Sequence, residues 1–139
     1  MGVRVKVKII VNGREVVTSA LVNSGFESDS PDICIPTELA RYLGLWPSRE
    51  VESVETLTAG GEATVYVLGK GRLQLLVNSE VKVEIECNLI MNPHIDEVLL
   101  SDYVIDELGI IIISFRKGLW RHVSDSPSTI RSSVEPEYW

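Results

Sequence analysis

Apolar residues at Val3, Val5, Val7, Ile9 and Val11 alternate with Arg4, Lys6 and Lys8. A period of two sends one set of side chains to each face, so this stretch predicts a strand with one buried face. Asn12-Gly13 follows; both residues tolerate positive φ, and together they predict a tight hairpin turn into a return strand over residues 15–22. That strand ends at Asn23. After a loop rich in turn formers, residues 33–35 predict a short strand. Pro36 then opens a helix through Leu39, Ala40 and Leu43, which Gly44 stops in the left-handed conformation. Strands over residues 51–58 and 63–68 flank a turn at Gly60-Gly61, and Gly69-Lys70-Gly71 is expected to break the chain before another strand at 73–77. Asn78-Ser79 turns into the alternating Val81, Val83 and Ile85. Residues 88–115 read as strand, loop, a short helix capped by Ser101 or Asp102, and a last strand in "LGIIIISF". The expected fold is mostly β, a closed-barrel-like domain with one or two short helices over residues 1–118. A C-terminal arm or flexible tail at 119–139 is expected to follow, because that stretch has no periodicity.

The chain of 139 residues is long enough for one hydrophobic core. Its net charge of -7 argues against a nucleic-acid or anionic-membrane partner. Arg4, Lys6, Lys8 and Arg14 read as the solvated face of a strand pair rather than a phosphate site, since no aromatic residues interleave with them. The alternating first ten residues do not read as a secretory leader, and no apolar run reaches the roughly 18 residues of a spanning helix. Cys34 and Cys87 lack CxxC spacing and read as buried reduced thiols, which points to the cytoplasm. His94 and His122 are too few for a zinc site, so no metal or other cofactor is expected.

The stretch that carries chemistry is Leu21-Val22-Asn23-Ser24-Gly25. Two apolar residues followed by an Asx-Ser-Gly tripeptide, then a Gly-Gly hairpin in "TLTAGGEATVYV" (56–67), then a helix entry in "VLLSDYVIDELGI" (98–110), resemble the retropepsin-like aspartic peptidases in content and order. These are single-domain, homodimeric enzymes, and the resemblance spans residues 3–115. It implies a closed-barrel acid-protease fold, a homodimer with its site on the twofold, a peptide or unfolded protein as substrate, and hydrolysis without a cofactor. Asn23 stands where the family has its catalytic Asp, Ser24 where a hydroxyl bonds across the twofold, and Gly25 where the backbone turns. Thr58, Ala59, Gly60, Gly61 and Glu62 stand in the flap that covers substrate. Ser101 departs from the family, which usually has glycine there.

Asn23 departs more seriously. An aspartic peptidase uses two carboxylates about 3 Å apart that share one proton, one accepting a proton from water and the other polarising the scissile carbonyl. An amide neither ionises nor takes up a proton near neutrality, so it cannot serve as the base. The chain as written is therefore expected to have the peptidase architecture with little or no activity. An asparagine at 23 fits an engineered substitution, a natural pseudo-peptidase that binds peptide or only dimerises, or a displaced motif in which another carboxylate acts. Asp29 and Asp32 are the nearest, but neither precedes Ser/Thr-Gly, and "ESDSPD" reads as a solvated turn. An unrelated small barrel that binds a ligand as a monomer is the expectation from a different class.

Overall fold

The computed structural model describes residues 2–48, 52–58 and 61–139. The first hairpin joins β1 (Val3–Val11) to β2 (Arg14–Val22), with Asn12 and Gly13 both at positive φ, 49° and 77°. The odd-numbered residues of β1 are buried and the even-numbered ones half-buried, as the alternation requires. After β3 (Asp32–Ile35), α1 (Thr37–Tyr42) buries Leu39 and Ala40, and Gly44 at φ 74° ends that turn. β4 (Glu52–Thr58) and β5 (Gly61–Val77) form the second hairpin, and β6 (Glu80–Met91) returns antiparallel to β5. β7 (Val98–Leu100), α2 (Asp102–Leu108) and β8 (Ile110–Ser114) come next, then β9 (Leu119–His122) and β10 (Arg131–Ser132).

The strands run β1-β2-β7-β3-β6-β5, and β5 pairs back onto β1, with Ile9 opposite Leu73 and Val7 opposite Leu75. The result is a closed six-stranded barrel in a mostly β chain with two short helices. β4 lies outside the closed ring, paired to β5. The barrel interior is filled by branched side chains, including Val5, Ile9, Ile33, Leu73, Leu89 and Leu100, each without exposure. Val104 and Leu108 of α2 join the same cluster.

The sequence predicts a break at Gly69-Lys70-Gly71, and the structure instead has one continuous strand. β5 shifts register between Val67 and Gly69, where Gly69 takes φ 125°. A bulge of this kind bends the strand without ending it; β6 pairs with β5 on both sides of it, while the other edge of β5 passes from β4 to β1. At Gly71 a Cβ would lie 2.8 Å from the Ile10 carbonyl oxygen, so a side chain would block closure of the β1–β5 seam.

Residues 119–139 lie against the rest of the chain. β8, β9 and β10 make a small separate sheet. His122, 5% exposed, joins it to α2: Nε2 contacts the Leu108 carbonyl at 2.8 Å, while Nδ1 accepts from the Ser124 N–H at 3.1 Å. A backbone N–H can only donate and a carbonyl can only accept, so these two contacts fit a tautomer with the proton on Nε2. Beyond β10, the Val134 N–H donates to the Arg4 carbonyl, the Glu137 N–H to Ser19 Oγ and the Trp139 N–H to the Asp96 carbonyl. Trp139 Nε1 donates to Thr18 Oγ1, and its ring lies 5.7 Å from that of Tyr42.

The expected solvated face of Arg4, Lys6, Lys8 and Arg14 is only partly that. Arg4 donates twice to the buried Glu97, at 2.8 and 3.0 Å. Trp46, at the exit of α1, packs its ring 5.0 Å from Tyr66.

Candidate functional site

β2 runs parallel to β7, and β3 runs antiparallel to β7 on the other side, so Leu100 pairs with both Val22 and Ile33. The residues that follow these positions, Asn23 after β2 and Ser101 after β7, therefore emerge at the same end of the barrel. Asn23 is half-buried, and Ser24 and Gly25 are exposed. The Asn23 carbonyl accepts from the Phe26 N–H at 3.0 Å, and its side-chain Oδ1 accepts from the Gly25 N–H at 3.1 Å. The asparagine thus closes its own turn. A Cβ at Gly25 would stand 3.3 Å from that same Oδ1, a tight contact that the Asn23 amide would have to shift to relieve.

The rest of the loop is braced by two aspartates. Asp102 Oδ1 accepts from the Ser28 N–H at 2.9 Å and from the Tyr103 N–H at 2.7 Å, while the Asp102 N–H donates to the Phe26 carbonyl at 2.9 Å. Asp32 accepts from Ser28 Oγ at 2.5 Å, Ser30 Oγ at 2.8 Å and Asn88 Nδ2 at 2.8 Å. The reading of "ESDSPD" as a solvated turn is corrected for Asp32, whose carboxylate is a half-buried hub with three neutral donors; Asp29 is exposed. Ser101 settles the choice of cap: it is unexposed, and its Oγ accepts from the Val104 N–H at 3.3 Å.

Ser28, Asn88 and the bracing role of Asp32 are what sequence reasoning missed. The signal within reach was a serine four residues before an aspartate in a turn-rich loop; Asn88 left none, because it arrives from β6.

Of the expected flap, Thr58 pairs with Gly61 and Leu57 with Glu62 in the β4–β5 hairpin. Ala59 and Gly60 lie outside the described residues. Among the described residues, the hydrogen bonds of the Asn23 loop run to α2 and β6, and none reaches this hairpin.

Both cysteines are free and buried, and burial pushes each thiol up to about 12, so neither is an activated nucleophile. Among the described residues no group of three or more His, Cys, Asp or Glu side chains could hold a metal ion, and no helix is long and apolar enough to cross a membrane. In comparisons with known proteins, no family model and no curated sequence matches the chain.

Proposed function

We propose that this chain is one half of an aspartic peptidase of the retropepsin kind, a site that a second copy would complete across a twofold, and that Asn23 holds it in a non-cleaving form. The observation that carries this reading is the placement of the Asn23 turn. It sits at the barrel end where β2, β7 and β3 meet, exposed at Ser24 and Gly25 and braced from behind by Asp32 and Asp102. Of the two carboxylates open to a displaced motif, Asp32 is occupied as an acceptor within the chain, which argues against its doing the chemistry.

With a carboxylate at 23, two copies would bring together a pair that shares one proton. The ionised member takes a proton from water as it attacks the peptide carbonyl, and the protonated member hydrogen-bonds the carbonyl oxygen. The β4–β5 hairpin would lie over an extended peptide. With the amide, the base is missing and binding is what remains.

A second reading, a natural peptide-binding or dimeric assembly module, is favoured by how well Asn23 fits. Its oxygen is satisfied by Gly25, and no buried unpaired group marks it as foreign to the turn.

The test is cleavage of an unfolded protein between about pH 3 and 7 by the chain as written and by Asn23→Asp. The variant is expected to cut at acid pH, by roughly 100-fold or more over the parent, in line with the contribution of general acid–base groups. A statine-type mimic of the tetrahedral state should block it. If Asn23→Asp is a folded dimer and does not cut, the peptidase reading fails. If it is a monomer at all working concentrations, both readings fail.

A further inference from the structure

The turn that follows β9 holds a pair of side chains that the Asn23 loop does not use. His122 closes β9, and Ser124 stands two positions on, exposed. Ser124 Oγ lies 2.8 Å from His122 Nδ1, and among the described residues that hydroxyl has no other bond. The second ring nitrogen, Nε2, lies 2.8 Å from the Leu108 carbonyl, which can only accept. With the proton on Nε2, the Nδ1 lone pair faces the turn. The Ser124 hydroxyl points at it, and so, at the longer distance of 3.1 Å, does the Ser124 N–H.

The ring has little freedom. It is buried, and a Cβ on Gly109 would stand only 2.8 Å from Nε2. The chain around it is fixed as well. The Asp125 N–H donates to the His122 carbonyl at 2.9 Å, the His122 N–H donates to Asp125 Oδ2 at 2.8 Å, and Arg131 holds the same carboxylate by two bonds.

A base oriented by a third group and within hydrogen-bond reach of a hydroxyl is the arrangement that activates a serine. Here the base is buried and the hydroxyl belongs to an exposed residue, so a reagent can approach from the solvent side. Ser126 and Ser128, exposed in the same segment, lack the arrangement: their hydroxyls bond each other at 2.9 Å.

We propose that Ser124 is a base-assisted nucleophile that takes an acyl group from an activated ester, with His122 Nδ1 receiving its proton. Ser124 Oγ attacks the ester carbonyl carbon as its proton passes to Nδ1. The new Oγ–C bond forms, the bond from that carbon to the leaving oxygen breaks, and the proton goes on to the leaving group. The products are an O-acylserine and an alcohol, and no electrons are gained or lost overall. The open surroundings, with Val123 62% exposed beside Ser124, fit a small acyl donor. The step is independent of the peptidase reading, since it uses neither Asn23 nor a second copy.

The test is treatment of the full chain with p-nitrophenyl acetate near neutral pH, with the acetyl ester at each serine quantified by peptide mass spectrometry. Ser124 should be acetylated on the order of 100-fold faster than Ser126 and Ser128, the contribution expected of a positioned base. In urea sufficient to unfold the chain that advantage should vanish, because it depends on the folded turn. His122→Asn carries an acceptor but no base, and should bring Ser124 down to the level of the two comparison serines. A Ser124 that reacts no faster than Ser126 in the folded chain overturns the proposal. An advantage that survives unfolding, or that survives His122→Asn with the fold intact, overturns it too. Where His122→Asn does not fold, the comparison of folded and unfolded parent decides alone.

Discussion

The Asn23–Asp32 loop and the C-terminal segment from Leu119 are both irregular, and each is organised by an aspartate, yet the two aspartates are held by different physics. Asp32 collects neutral donors: two serine hydroxyls and the Asn88 amide. Asp125 is held by the Arg131 guanidinium through two bonds of 2.7 and 2.8 Å, with the His122 N–H as a further donor at 2.8 Å. Short neutral donors fix a loop by geometry, and their effect is insensitive to salt. An ion pair fixes a segment by charge, and its strength follows pH and ionic strength. The loop that carries the candidate chemistry is thus braced by geometry, and the segment that follows β9 by charge.

The largest expected effect tests the first half of that contrast. Asp32→Ala removes the acceptor of three half-buried donors and should cost about 2–4 kcal/mol, read as a lowered urea midpoint at unchanged slope. A loss below about 1 kcal/mol would mean that water replaces the carboxylate and that the loop is not braced as described.

Deleting Trp139 comes next. It removes the indole donor to Thr18, which has no exposure, and the ring contact with Tyr42. The expected cost is about 1–2 kcal/mol in the same measurement. No change would show that the chain end adds nothing to the barrel.

The smallest effect is the pH dependence of the C-terminal segment. The hydrogen bond from the Arg131 guanidinium, and then the His122 N–H, hold the Asp125 carboxyl well below the usual carboxylate range. A group whose folded pKa is depressed contributes stability that is complete above its unfolded value and is lost as pH falls toward the folded one. The stability difference between the parent and Asp125→Asn should therefore be constant above about pH 5 and shrink below about pH 4. A difference that grows on acidification would reverse the sign and refute the assignment.

Much of this molecule was legible along the chain. Strict alternation defined β1, Asn12-Gly13 defined its turn, and Pro36 and Gly44 bracketed α1, because each of these depends on residues within a few positions of one another. The Asx-Ser-Gly turn at the end of β2 was legible for the same reason: Asn23 bonds Gly25 two residues on. The sequence also determined that position 23 has no carboxylate, since chemistry at a single side chain needs no fold to be read.

Tertiary structure decided the rest. Gly69-Lys70-Gly71 looked like a break and is a bend within one strand, because only pairing with β1, β4 and β6 determines whether a glycine ends a strand or curves it. Asp32 looked solvated and is a hub, because Asn88, its partner from β6, lies 56 positions away. Arg4 looked solvated and is paired, because its partner Glu97 lies 93 positions away. Local sequence fixes which conformation a residue prefers; which surfaces then meet is set by barrel closure, where burial of the shared apolar face outweighs any local preference.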